Sequence, residues 1–172
     1  MGYAGGTKKS PSYHDPGDHT ETVQIDYDPS RISYNGLLKV FWDNHSPTVP
    51  GVAQQYKSVI FYHNEEQKRL AMASRDQEAA RLGKKIYTEI VPYSGFTLAE
   101  DYHQKHQLRG HGDIMKEFKA MYPDTEDFVN STAAARVNGY LAGYGTRAQL
   151  DTELSSLGLS PAAQDKLLSV VK

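Results

Sequence analysis

Among the 172 residues there is no cysteine, so these residues offer no thiol as nucleophile, disulfide partner or zinc ligand. The groups left to carry chemistry are carboxylates, twelve tyrosines and seven histidines, and every histidine falls between His14 and His111. His103, His106 and His111 are near enough in sequence to suggest a metal, but no carboxylate stands with them at a ligand spacing, and none is expected to bind. Ser12, His14 and Asp15 supply the residue types of a hydrolytic triad. Such close neighbours rarely reach triad geometry, so that reading is set aside. Gly2 to Gly6 is glycine-rich but follows no strand here, which removes the context a phosphate-cradling loop needs. Glu21 can be a solvated carboxylate or a proton donor. Tyr13 and Tyr56 can pack and still present a hydroxyl.

The elements that must position these groups are readable from periodicity and caps. Val23, Ile25 and Tyr27 alternate with polar residues, as in a strand with one buried face that ends at Asp28-Pro29. Ser33 caps a helix whose Leu37, Leu38, Phe41 and Trp42 form one apolar stripe. After a loop rich in Pro and Gly, Tyr56 to Tyr62 reads as an apolar strand. Asn64 then caps a long polar helix that Gly83 can end. Ile86, Thr88 and Ile90 alternate as a third strand stopped by Pro92. Thr97 and Glu100 have capping-box spacing, with Ala99, Tyr102 and His106 on one helical face.

Leu108-Arg109-Gly110-His111-Gly112 reads as a hinge, so the expected domains are 1–110 and 111–172. From Asp113 the chain reads as helical. Ile114, Phe118 and Met121 share one face, Thr146 and Gln149 make a capping pair, and Ser160-Pro161 starts a last helix. Strands alternating with helices, followed by helices alone, predict an α/β fold with a C-terminal all-helical extension.

A net charge of −2 argues against a general nucleic-acid binder that works by neutralising phosphates. No apolar run is long enough to cross a bilayer, and the first residues lack the pattern of a signal peptide, so the default expectation is a soluble, cytoplasmic protein.

A set of short stretches runs in order along residues 2–107: Gly2-Tyr3-Ala4-Gly5-Gly6, Pro11-Ser12-Tyr13, Asp18-His19-Thr20-Glu21, Tyr27-Asp28-Pro29, Leu37-Leu38-Lys39-Val40-Phe41-Trp42, Gln55-Tyr56-Lys57-Ser58, Glu66-Gln67 and Ala99-Glu100-Asp101-Tyr102-His103-Gln104. Together they resemble the A-type peptide methionine sulfoxide reductases. The resemblance implies a two-layer α+β sandwich of ferredoxin-like kind. It implies an enzyme that reduces the S epimer of methionine sulfoxide, free or in proteins. In that family a thiolate attacks the sulfoxide sulfur, methionine leaves, and the sulfenic acid is recycled through a disulfide by thioredoxin or another thiol, with no bound cofactor.

By the same resemblance Glu21 matches the acid that protonates the sulfoxide oxygen, a role that calls for burial to keep the proton in place. Tyr13 and Tyr56 match the hydroxyls that hydrogen-bond that oxygen, and Asp101 and His103 match a substrate-binding run. Three departures stand against the pattern. The signature Gly-Cys-Phe-Trp, expected ahead of Gly2, is not among these residues. The expectation is therefore an N-terminally incomplete chain, lacking roughly 30 residues of strand and helix with a cysteine or selenocysteine nucleophile. Gly51-Val52-Ala53-Gln54 stands where the family carries an aspartate, and no C-terminal resolving cysteine is present. The alternative is a catalytically inactive relative that acts as a binding module.

Overall fold

The computed structural model describes residues 1–51 and 53–171. They form two compact units, Met1–Ala99 and Glu100–Lys172. The first mixes strands with helices, and the second is helical.

In the first unit, β1 (Gly2–Ala4) lies between β2 (Thr20–Thr22) and β5 (Phe96–Leu98) in an antiparallel sheet. Tyr3 stands opposite Glu21 on one side and Thr97 on the other. A separate parallel pair joins β3 (Val59–Tyr62) to β4 (Glu89–Pro92), with α2 (Glu65–Leu82) as the crossover. Parallel neighbours need such a crossover because the chain must return to the starting edge. α1 (Tyr34–Asp43) buries Leu38 and Trp42 against Ile60 and Ala71, and Trp42 Nε1 donates to Ser74 Oγ of α2 at 3.0 Å. Ser33 caps α1 through Gly36 N–H, and Asn64 caps α2 through Gln67 N–H, as their residue types predict.

The strands correct the sequence reading in detail. The alternating run Val23 to Tyr27 is not a strand, because the ladder with β1 ends at Gly2 opposite Thr22, and Val23 and Ile25 are left exposed. Residues Gln54–Tyr56 form a 3-10 turn, so the expected strand from Tyr56 begins only at Val59. The third strand runs Glu89–Pro92 and takes in Pro92, paired with Tyr62, instead of stopping before it. Thr97 caps no helix. It sits in β5 opposite Tyr3, because sheet pairing across about 95 residues outweighs a local capping signature.

In the second unit, α3 (His106–Arg109), α4 (Gly112–Met121), α5 (Thr125–Asn130), α6 (Thr132–Leu141), α7 (Arg147–Glu153) and α8 (Pro161–Val170) enclose one core. Leu108, Ile114, Phe118, Val137, Leu150 and Leu167 are fully buried there. The starts of α5 to α8 carry side-chain caps: Asp124, Ser131, the Thr146–Gln149 capping box, and Ser160 followed by Pro161. Glu153 of α7 accepts from both Arg136 and Tyr140 of α6. Burial first, then Glu153, pushes the Tyr140 phenol up to about 12. The second unit begins at Glu100 and takes in the Leu108–Gly112 segment, with Leu108 an integral part of its core.

Candidate active site

Glu21 is the middle residue of β2, an edge strand, so β1 covers it from one side only. That makes Glu21 half-buried, short of the enclosure its family role implies. Its carboxylate accepts a hydrogen bond from Gln55 Nε2 at 2.6 Å. Two further bonds tie this strand and the residues just before it to the 3-10 turn that bears Tyr56. Thr20 Oγ1 donates to the Gln54 carbonyl, and Gln54 Nε2 donates to the Asp18 carbonyl, both at 3.0 Å. Tyr56 therefore stands beside Glu21 although 34 residues lie between the two in the chain.

Tyr13 reaches the same place from a different direction. It sits on the loop between β1 and β2, where Ser12 and Asp15 exchange backbone hydrogen bonds at 3.2 and 3.1 Å. The hydroxyls of Tyr13 and Tyr56 hydrogen-bond each other, with the Glu21 carboxylate close enough to act on Tyr56 electrostatically. The Tyr56 phenol is held above its usual value, first by partial desolvation of its hydroxyl and then by Tyr13 and Glu21. Both rings remain exposed over much of their surface, so the three groups form one small solvent-accessible patch. Three hydrogen-bonding groups, one of them a carboxyl, can receive an oxygen that is gaining negative charge and pass it a proton.

The sequence reading missed Gln55 as a partner of Glu21. Gln55 lies beside Tyr56 in a family motif, but a side chain that orients a carboxylate has no signature of its own. Asp101 and His103 belong to the second unit, on a 3-10 turn, with Asp101 exposed and His103 Nε2 3.8 Å from Glu100 Oε2. Of the Gly51-Val52-Ala53-Gln54 departure, Val52 lies outside the described residues; Gln54 serves as the clamp on Asp18 and Thr20.

On the other face of β2, an aromatic groove of about 220 Å³ opens between Ala4, Val23, Phe41, Phe61, Tyr93 and Phe96. Val23 and Ile25 rim it, exposed, and the buried Tyr34 hydroxyl that borders it has no hydrogen-bond partner among the described residues.

A family model described as peptide methionine sulfoxide reductase matches residues 1–136, well past the 2–107 span of the sequence resemblance. The peptide methionine sulfoxide reductase of Drosophila melanogaster is 43% identical over 164 residues, covering 94% of this chain and 65% of its own length. Its counterpart in Methanosarcina acetivorans is 45% identical over 133 residues, 69% of this chain and 70% of that protein. That of Sulfolobus acidocaldarius is 40% identical over 141 residues, 72% of this chain and 80% of that protein. The chain thus spans just under two thirds of the fly relative's length. With most of its residues matched by the family model and three curated relatives at 40–45% identity, the chain belongs to the peptide methionine sulfoxide reductase family.

Proposed function

We propose that this chain provides the oxygen-handling half of a peptide-methionine S-sulfoxide reductase, an oxidoreductase of protein repair. Its substrates are oxidised proteins, peptides and free methionine sulfoxide, and its electrons come from thioredoxin or another thiol. The observation that carries this reading is the meeting of Tyr13, Glu21 and Tyr56, three groups remote in sequence, on one patch. The tyrosine hydroxyls bind the sulfoxide oxygen while Glu21 gives it a proton. Sulfur is then open to attack, the substrate S–O bond breaks as the oxygen passes to the attacking atom, methionine leaves, and two thiol electrons and protons reduce the resulting sulfenic acid with release of water.

The attacking thiol or selenol comes from outside these 172 residues, which contain no cysteine. The aromatic groove with its exposed Val23 and Ile25 supports this assignment. An alternating apolar run that faces solvent is the surface an additional segment would cover.

A protein in which a strand and helix bearing Gly-Cys-Phe-Trp precede Gly2 should reduce N-acetylmethionine S-sulfoxide with dithiothreitol, and the 172-residue chain should not. In that extended protein Glu21→Gln should lower kcat about 10²–10³-fold. Tyr13→Phe or Tyr56→Phe alone should lower it less, because each leaves the other hydroxyl in place. A folded extended protein without activity, or one indifferent to Glu21→Gln, would move the chain to the class of non-catalytic binding modules.

A further inference from the structure

The loop that carries Tyr13 is closed at its neck by one buried side chain. His19, only 7% exposed, sits two residues before Glu21. Its Nδ1 faces the Gly6 N–H at 3.2 Å, and its Nε2 faces the Lys8 carbonyl at 2.9 Å. A backbone N–H can only donate and a carbonyl can only accept, so the ring is neutral, with the proton on Nε2. Lys8 lies at the start of the Tyr13 loop. At the far end of the loop, the His19 backbone N–H donates to the Pro16 carbonyl at 3.2 Å. One residue therefore grips both ends of the segment from Lys8 to Pro16.

The surroundings are shaped around that ring. A Cβ on Gly6 would lie 2.6 Å from His19 Cδ2 and 2.7 Å from Cγ, so only glycine lets the backbone approach this closely. Asp18 accepts from Thr7 N–H at 2.8 Å and from Lys8 N–H at 3.1 Å, and Lys8 in turn pairs with Asp15 across the loop. The charged groups around the neck are thus Lys8, Asp15 and Asp18, and their charges are spent on one another and on Thr7. None of them supplies the Nε2–H that the Lys8 carbonyl receives.

We propose that His19 is a positioning residue for the Tyr13–Glu21–Tyr56 site, holding the Tyr13 hydroxyl against Tyr56 through its neutral Nε2–H tautomer. The role rests on the reductase reading for its meaning, but the loop geometry can be tested without it. The 15N spectrum of the 172-residue chain at neutral pH should show His19 with Nδ1 bare and Nε2 protonated. The opposite tautomer, or a ring protonated on both nitrogens, overturns the proposal.

A ring-to-ring NOE between Tyr13 and Tyr56 then reports the loop directly. His19→Leu should abolish it, and His19→Gln, whose amide can still donate toward the Lys8 carbonyl, should keep it. Persistence of the NOE in His19→Leu, or its loss in both variants, refutes the role. Should His19→Leu fail to fold, the tautomer and His19→Gln still decide.

With no cysteine present, N-acetylmethionine S-sulfoxide is bound without being consumed, so its affinity can be titrated on the same samples. His19→Leu should weaken it about tenfold. If the wild-type chain shows the tautomer and the NOE but binds no sulfoxide, the reductase reading fails and the positioning role stands.

Discussion

Asp18 shows how a fully exposed carboxylate can still matter for stability. Thr7 gives it a backbone N–H and a hydroxyl, Lys8 adds a second N–H, and its pKa falls from 3.8 to about 2, with the Thr7 backbone bond the largest cause. A depressed carboxylate stabilises the fold in its ionised state. That contribution is therefore present in full above about pH 4 and is lost as pH falls toward about 2. Melting temperatures measured across that window should show wild type and Asp18→Asn converging as the pH drops, while at neutral pH the variant melts lower. The same loop bears Tyr13, so Asp18→Asn should also broaden the Tyr13 ring resonances. His19, Gly6 and Asp18 act at a single neck, and substitutions there are expected to be non-additive.

At the level of elements, α2 illustrates local rules that suffice. It is mostly polar, fully burying only Ala71 and Glu78, and Glu78 goes inside because Arg81 pairs with it at 2.5 Å, which also draws the Glu78 carboxyl below its usual range. The helix ends at Gly83, whose φ of 61° is left-handed, with nothing within 4 Å of where a Cβ would stand. The cost of Gly83→Ala is thus conformational, about 1 kcal/mol, and Gly83→Asn should cost less. Urea unfolding with an unchanged m value is the check.

On the scale of the whole molecule, the second unit has the larger of the two buried apolar clusters and is held by side chains from all of its helices longer than four residues. Phe118 is fully buried against Phe128 and Tyr122. Phe118→Ala should cost about 3–5 kcal/mol, the range for emptying an aromatic site in a packed core. Hydrogen exchange should show the loss first in amides of Glu100–Lys172, since stability is distributed by cooperative unit. Intact protection throughout that unit would show that the core closes over the cavity.

The helices of this protein were legible in its sequence because their causes are local. Ser33, Asn64, Gly83, Thr146 with Gln149, and Ser160 with Pro161 act within one turn of themselves, and all of them cap or end helices as expected. The site was legible only as residue types in family motifs, Tyr13, Glu21 and Tyr56, whose meeting depends on pairings the chain cannot display in one dimension. Tertiary structure decided that β2 begins at Thr20 and not at Val23, and that Thr97 joins a sheet instead of starting a helix. It also decided that Leu108 belongs to the helical core, that Gln55 orients Glu21 and that His19 closes the Tyr13 loop. Each of these rests on contacts between segments 11 to about 95 residues apart. A strand or a hydrogen-bond partner is selected by what the fold places opposite it, whereas a helix cap is selected by the residue three positions along.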